Sequence, residues 1–134
     1  MTPKPQPVRT TANLKAFVAD DDDDACALVA NALRRAGFEV HQAHNGHELL
    51  ACFKEHATAR ALVVSDIGMP ECDGIEATIA VKKLAPQAVI VLVTAFVDQA
   101  TAVVARDAGA AVVLHKPLDL RALLRTVHAL LTRP

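Results

Sequence analysis

The stretch Ala61-Leu62-Val63-Val64-Ser65-Asp66-Ile67-Gly68-Met69-Pro70-Glu71-Cys72-Asp73-Gly74 decides how this chain folds. Residues 61–65 are a short apolar run bounded by turn signals, the pattern of a strand buried on both faces. The run ends on an acid, Asp66. Met69-Pro70 and Asp73-Gly74 mark a loop, and a helix-period segment follows from about 75 to 84, until Pro86 breaks it. Asp73 stands at the N-cap of that helix, where a carboxylate accepts amide protons that the first turn leaves unpaired.

The same unit of strand, turn and helix recurs on either side. Upstream, residues 15–19 are an apolar run, and 23–36 a helix with Leu28, Val29, Ala32 and Leu33 on one face, stopped by Gly37. In residues 38–43, Phe38, Val40 and Gln42 alternate with Glu39, His41 and Ala43, as in a half-exposed edge strand. Asn45-Gly46 is a turn, and 46–56 a second helix. Downstream, 88–93 is the most apolar run, which predicts a central strand. A helix over 97–108 closes on Gly109, and 111–114 is the last strand. The helix over 118–131 carries Leu120, Leu123, Leu124, Val127 and Leu130 at core spacing. Five such repeats with short connections predict an α/β fold, (βα)5, with a doubly wound parallel sheet. Right-handed crossovers leave few topologies, and five strands suit the flavodoxin-like order 2-1-3-4-5.

Composition narrows the function. The 134 residues are one domain's worth, expected over 14–131, with a disordered lead over 1–13 and a tail over 132–134. The lead has no apolar core of the kind a signal peptide needs. The formal charge is −1, so no global field steers the chain to nucleic acid or an anionic membrane. No apolar run reaches the roughly 18 residues of a membrane helix. Four Phe, with no Trp or Tyr, offer few platforms for stacking bases. Cys26, Cys52 and Cys72 are odd in number and lack C-x-x-C spacing. They read as reduced thiols of a cytoplasmic protein, neither a disulfide framework nor a zinc site.

The polar residues that interrupt the apolar pattern fall at strand ends. The first strand ends in Asp20-Asp21, the third in Asp66, the fourth in Thr94 and the fifth in His115-Lys116-Pro117. Open α/β sheets bind ligands at this carboxyl edge. Strands one and three would be neighbours there, so three carboxylates would crowd one crevice. Such crowding raises pKa values, and a hard divalent cation such as Mg²⁺ relieves it. Lys116 adds a fixed charge and Thr94 a hydroxyl donor. A carboxylate nucleophile in such company suits phosphoryl transfer. An EF-hand loop fails, since counting from Asp20 puts Ala25 at its glycine and Asn31 at its closing glutamate. Asp22, Asp23 and Asp24 read as helix-capping acids. His41, His44 and His47 straddle a strand, a turn and a helix start, so they read as solvated surface, as does His128. Phe96 reads as core or pocket rim.

The chain resembles the receiver domain of two-component response regulators from about Leu14 to Leu131. The resemblance rests on Phe17-Val18-Ala19-Asp20-Asp21-Asp22, the stretch 65–74 quoted above, Val93-Thr94-Ala95, Ala108-Gly109-Ala110 and Lys116-Pro117. It implies that Asp66 is the phosphoacceptor, taking the phosphoryl group from a histidine kinase or a histidine phosphotransfer protein. Asp21 would ligate Mg²⁺ directly and Asp20 through water, and the Gly68 carbonyl would be a further ligand. Thr94 would hydrogen-bond the phosphoryl group and Lys116 would pair with it, with a cis bond to Pro117. The fourth helix, fifth strand and fifth helix, with Val103, Arg106, Val113, Arg121 and Arg125, would form the docking or homodimer surface for a downstream effector. Chemistry would stop at self-catalysed transfer and hydrolysis, without turnover of a substrate. The resemblance leaves open a stand-alone regulator, a phosphate relay or a receiver from a longer chain.

Three positions depart from the family pattern. Val113 stands where an aromatic switch residue is common, Gly68 leaves no side chain two residues past Asp66, and Ser65 precedes Asp66 where apolar residues are commoner. Two other functions compete. A pseudo-receiver would act by interaction alone, but the intact set Asp20, Asp21, Asp66, Thr94 and Lys116 opposes it. An aspartyl-phosphate phosphatase needs a threonine four residues past its nucleophile, whereas Asp20 is followed there by Asp24 and Asp66 by Pro70.

Overall fold

Short valine-rich runs become strands because β-branched side chains suit a pleated, buried surface. The computed structural model describes residues 14–57 and 60–132. The lead expected at 1–13 and residues 133–134 of the tail lie outside that range. The strands are β1 (Lys15–Ala19), β2 (Glu39–Ala43), β3 (Ala61–Asp66), β4 (Val89–Thr94) and β5 (Val112–His115). The helices are α1 (Asp23–Arg35), α2 (Gly46–His56), α3 (Gly74–Leu84), α4 (Gln99–Ala108) and α5 (Leu120–Leu131). The strands form one sheet in the order β2-β1-β3-β4-β5, all pairs parallel, as the pattern predicts.

Alternation along each strand sorts the core into two layers. Phe17 and Ala19, Ala61 and Val63, and Ile90 and Leu92 meet Leu49, Phe53, Ala77, Val81 and Ala105 of α2, α3 and α4. Ala16 and Val18, Leu62 and Val64, and Val91 and Val93 meet Cys26, Val29, Leu33, Leu123, Val127 and Leu131 of α1 and α5. Side chains such as Phe17, Leu33, Leu62, Ile90 and Leu123 are almost wholly buried, each contributing about 1.5–3 kcal/mol.

Several boundaries move from their predicted places. The helices α4 and α5 begin two residues later than the periodicity indicates, because side-chain caps set their starts. Asp98 accepts the Thr101 amide at 2.7 Å, and Asp119 accepts those of Arg121 and Ala122 at 2.9 and 3.2 Å. Asp22, Asn45 and Asp73 cap the other three helices, the last by accepting from Glu76 at 2.8 Å. The helix α1 ends on Gly37, whose φ of 106° lets Gly37 and Phe38 bond back to Arg34 and Leu33. The strand run over 88–93 is interior as β4, but the middle strand is β3, buried along its whole length. Leu28 is also corrected: it is 61% exposed. The buried stripe of α1 runs through Cys26, Val29, Ala30 and Leu33, and Leu28 lies beside it.

Candidate functional site

Parallel pairing places the site. Ala19 of β1 is in register with Ser65 of β3, so the next residues, Asp20 and Asp66, emerge side by side. The chain then turns to α1 on one face of the sheet and toward α3 on the other, which opens a crevice between them. On the far side, Ile67 N–H donates to Val93 O at 2.8 Å and Lys116 N–H to Thr94 O at 2.9 Å. These bonds carry β3, β4 and β5 past their ends in step, which delivers Lys116 to Asp66 and leaves Thr94 on the same sheet edge, one residue past Val93, the register partner of Asp66. The Lys116–Pro117 peptide is cis, as expected.

The ammonium of Lys116 lies 3.0 Å from Asp66 Oδ2 and 3.3 Å from Asp20 Oδ2. Both carboxylates are largely buried, while Asp21 is exposed. Each buried acid is also held through its other oxygen: the Gly68 amide donates to Asp66 Oδ1 at 3.2 Å and the Asp22 amide to Asp20 Oδ1 at 2.9 Å. Burial pushes the Asp20 carboxyl above its ordinary range, and the charge of Asp66 adds to this against the pull of Asp22 and Lys116. For Lys116, burial pulls the ammonium down, but the hydrogen bond and charge of Asp66, then those of Asp20, outweigh it and hold the group above the usual lysine value.

One oxygen from each of Asp20, Asp21 and Asp66 lies within 4.8 Å of the other two. This all-oxygen, anionic set fits a hard divalent ion such as Mg²⁺. One ammonium cannot neutralise three carboxylates, so the residues present have reason to hold one.

Thr94 is half-buried at the end of β4, and its Oγ1 accepts the Phe96 amide at 3.2 Å. The hydroxyl proton stays available to a ligand while the oxygen is tied to the following loop. Phe96 belongs neither to the core nor to the pocket rim: it is 81% exposed, because Asp98 delays α4 and leaves this loop extended into solvent. The buried hydroxyl of Ser65 is satisfied by donating to Asp66 O at 2.9 Å. Gly74 lets the start of α3 close on the backbone of Asp66, since a Cβ there would stand 2.4 Å from Asp66 O. At Gly68 a Cβ would meet nothing within 4 Å. That position opens freely to solvent.

A cavity of about 510 Å³ extends from Asp20, Asp66 and Lys116 between α1 and α5. Its apolar walls include Ala25, Leu28, Pro117, Leu118 and Leu120. The apolar count of α1 places Leu28 in the core, which hides this groove in the sequence. Its misfit with the buried stripe was the available signal.

His41, His44 and His47 do not converge on one site. His47 and His44 are exposed, and His44 is pulled above the ordinary histidine range by its hydrogen bond to Glu48 and the charge of Asp23. His41 is half-buried, with its ring stacked on Phe17 and His56 and bonded to Glu39. That corrects its assignment to solvated surface. His128 is exposed on α5.

Residues 16–128 match the family model described as the response regulator receiver domain. The chain belongs to this family. It is 40% identical over 111 residues to the transcriptional regulatory protein ZraR of Salmonella typhimurium, a match covering 83% of this chain and 25% of that protein. The chain thus spans about a quarter of the length of that relative. A receiver domain protein of Methanospirillum hungatei superposes with a TM-score of 0.83 at 27% identity, over 90% of this chain and 94% of that one. A response regulator of Burkholderia pseudomallei, solved with a phosphorylated aspartic acid, a calcium ion and citrate, superposes with a TM-score of 0.76 at 28% identity, over 84% and 65% of the two chains.

In this receiver, Val113 of β5 is only partly buried and lines a second cavity of about 130 Å³ with Val97, Ala102 and Arg106. A β-branched side chain with few χ1 rotamers has little travel there. Val103 and Arg106 are exposed on α4, and Arg121 and Arg125 on α5. Among the described residues no helix is long and apolar enough to cross a membrane.

Proposed function

We propose that this receiver is a phosphorylation-dependent switch that takes a phosphoryl group on Asp66 from a phosphohistidine of a kinase or phosphotransfer protein. The observation that carries the reading is the shared ammonium: Lys116 Nζ bridges Asp66 and Asp20, with Asp21 close by. A structural ion pair needs one acid per lysine. Three acids around one lysine at a ligand-binding sheet edge suit an incoming phosphoryl group with a metal ion. The phosphorylated aspartate of the Burkholderia relative lends support.

In this reading an Asp66 carboxylate oxygen attacks phosphorus as the phosphorus–nitrogen bond of the donor breaks, and the electron pair leaves with the imidazole. Gly68 N–H and Lys116 hold the carboxylate in place beforehand. Asp20, Asp21, Asp66 and the Gly68 carbonyl would hold Mg²⁺, which supplies charge neutralisation at the phosphoryl oxygens. Lys116 then pairs with a phosphoryl oxygen, and the Thr94 hydroxyl donates to another. The groove beside the site, with exposed Leu28 on its rim, suits docking of the donor protein. The α4–β5–α5 face, where Val103 and Val104 are each 52% exposed, suits an effector or a second copy. Reaction ends with transfer and hydrolysis of the acyl phosphate, in a cytoplasmic setting.

The test is to incubate the chain with Mg²⁺ and acetyl phosphate and weigh it. A stoichiometric phosphoryl adduct lost in Asp66→Asn supports the switch. No adduct with any phosphodonor supports a pseudo-receiver, and sustained phosphate release with many donors supports a turnover enzyme.

A further inference from the structure

A second cluster of ligating side chains lies on the other half of the fold. Cys52 and His56 are four residues apart on α2, so they share one face of that helix. Phe53 anchors α2 in the core, and β2 brings His41 up beneath that face. Ligand atoms of His41, Cys52 and His56 all lie within 4.8 Å of one another, and all three residues are half-buried. Glu39, two residues before His41 on the same side of β2, bonds His41 Nε2 through Oε2 at 2.9 Å.

We propose that His41, Cys52 and His56 form a site for one zinc-class divalent ion, independent of the phosphorylation site and of the function proposed for it. The donor chemistry sets the metal. One thiolate and two imidazoles are a borderline-soft set that Mg²⁺ avoids and Zn²⁺ accepts, with three protein ligands and a fourth position left open. The carboxylates around Asp66 have the opposite preference, so the two sites sort the two ions. Glu39 holds Nε2 of His41, so Nδ1 would face the ion, the arrangement metal-bound histidines commonly have, in which a carboxylate on the other ring nitrogen fixes the tautomer and orientation.

Zinc bonds of about 2.0–2.3 Å require the donors to draw in from their present spacing. The rings of His41 and His56 stack at 4.2 Å and 14°. Because lone pairs lie in the ring planes, two parallel rings cannot aim at one ion. His56 is the last residue of α2 and its side chain is 38% exposed, which leaves room for it to tilt out of the stack. Closing the site forms a metal–sulfur bond and releases the Cys52 proton to solvent.

The experiment uses the whole chain, reduced, with Mg²⁺ in saturating excess to occupy the carboxylate site. Co²⁺ is titrated in as a spectroscopic probe, and Zn²⁺ then competes for it. The expected result is one ion per chain, with tetrahedral cobalt bands and a thiolate charge-transfer band. Cys52→Ser removes the charge-transfer band, and Cys52→Ser and His56→Gln each weaken zinc binding by at least about 100-fold. Glu39→Gln weakens it by about 10–100-fold. Asp66→Asn leaves it unchanged. His56→Gln removes the ring stack with His41 at the end of α2, and circular dichroism checks that the fold is kept. The proposal is overturned if no tetrahedral cobalt spectrum forms, if binding ignores both Cys52→Ser and His56→Gln, or if Asp66→Asn abolishes it.

Discussion

The carboxylates of Asp20 and Asp66 lie against the same cation, at 3.3 and 3.0 Å from Lys116 Nζ. Their side chains are only 11% and 10% exposed. Asp20 holds its proton to higher pH in the fold than in the unfolded chain, first because it is buried. For an acid raised in this way, its charge has no effect on stability below the unfolded pKa and destabilises the fold as pH rises through the folded value. Metal-free Asp20→Asn, which keeps the acceptor for the Asp22 amide, should therefore melt above wild type at neutral pH. The gap should close near pH 3, where both side chains are neutral. Excess Mg²⁺ should raise the wild-type melting temperature more than the variant's. Calorimetry with and without Mg²⁺ checks this, and equal metal-free melting at neutral pH contradicts it.

Gly74→Ala should disturb the backbone of Asp66. The new Cβ would stand 2.4 Å from Asp66 O and 2.9 Å from Ile67 Cα, and neither atom can yield without moving Asp66. Overpacking of this kind costs about 1–3 kcal/mol. Urea unfolding should show a lower midpoint at unchanged slope, together with slower phosphorylation by acetyl phosphate. A variant as stable as wild type would show that the α3 start is not closed this tightly.

Gly68 should behave in the opposite way. With nothing within 4 Å of a new Cβ, Gly68→Gln should leave stability within about 0.5 kcal/mol. Its side chain would screen the acyl phosphate from water, so the phosphoryl group should last longer. An unchanged half-life, followed by loss of radiolabel, would sink the idea that the open edge at Gly68 governs lifetime.

The readout should pass through Thr94 and its loop more than through Val113. Thr94 Oγ1 already holds the Phe96 amide, so a hydroxyl drawn toward a phosphoryl oxygen pulls Phe96 with it. With beryllium fluoride as phosphoryl mimic, amide shifts should be large from Thr94 to Phe96 and small at Val113. Thr94→Val should remove the Phe96 change. Equal movement of Val113 and the rest of β5 would contradict this.

Much of this was legible in the sequence, because strand ends are written in single residues. Asp20, Asp66, Thr94 and Lys116 each interrupt or end an apolar run, and parallel pairing leaves them nowhere to go but one edge. What escaped depends on side-chain direction. Leu28 matches the apolar count of α1, yet lies off its buried stripe and borders the groove. The starts of α4 and α5 were set by Asp98 and Asp119, whose capping bonds outweigh the apolar periodicity upstream. His41 meets Cys52 and His56 only because α2 crosses back over β2. Ligand spacing along the chain could not reveal that contact, although the i, i+4 pair Cys52 and His56 was its visible half.

The proposed switch turns on Asp66 itself carrying the phosphoryl group. Its most direct test is reductive trapping: treat the chain with Mg²⁺ and acetyl phosphate, reduce with borohydride, and map the peptides by mass spectrometry. Borohydride converts an acyl phosphate of aspartate to homoserine, so homoserine should appear at position 66, depend on Mg²⁺ and be absent at positions 20 and 21. Homoserine at 20 or 21, or none at 66 in protein shown to be folded, would contradict the account.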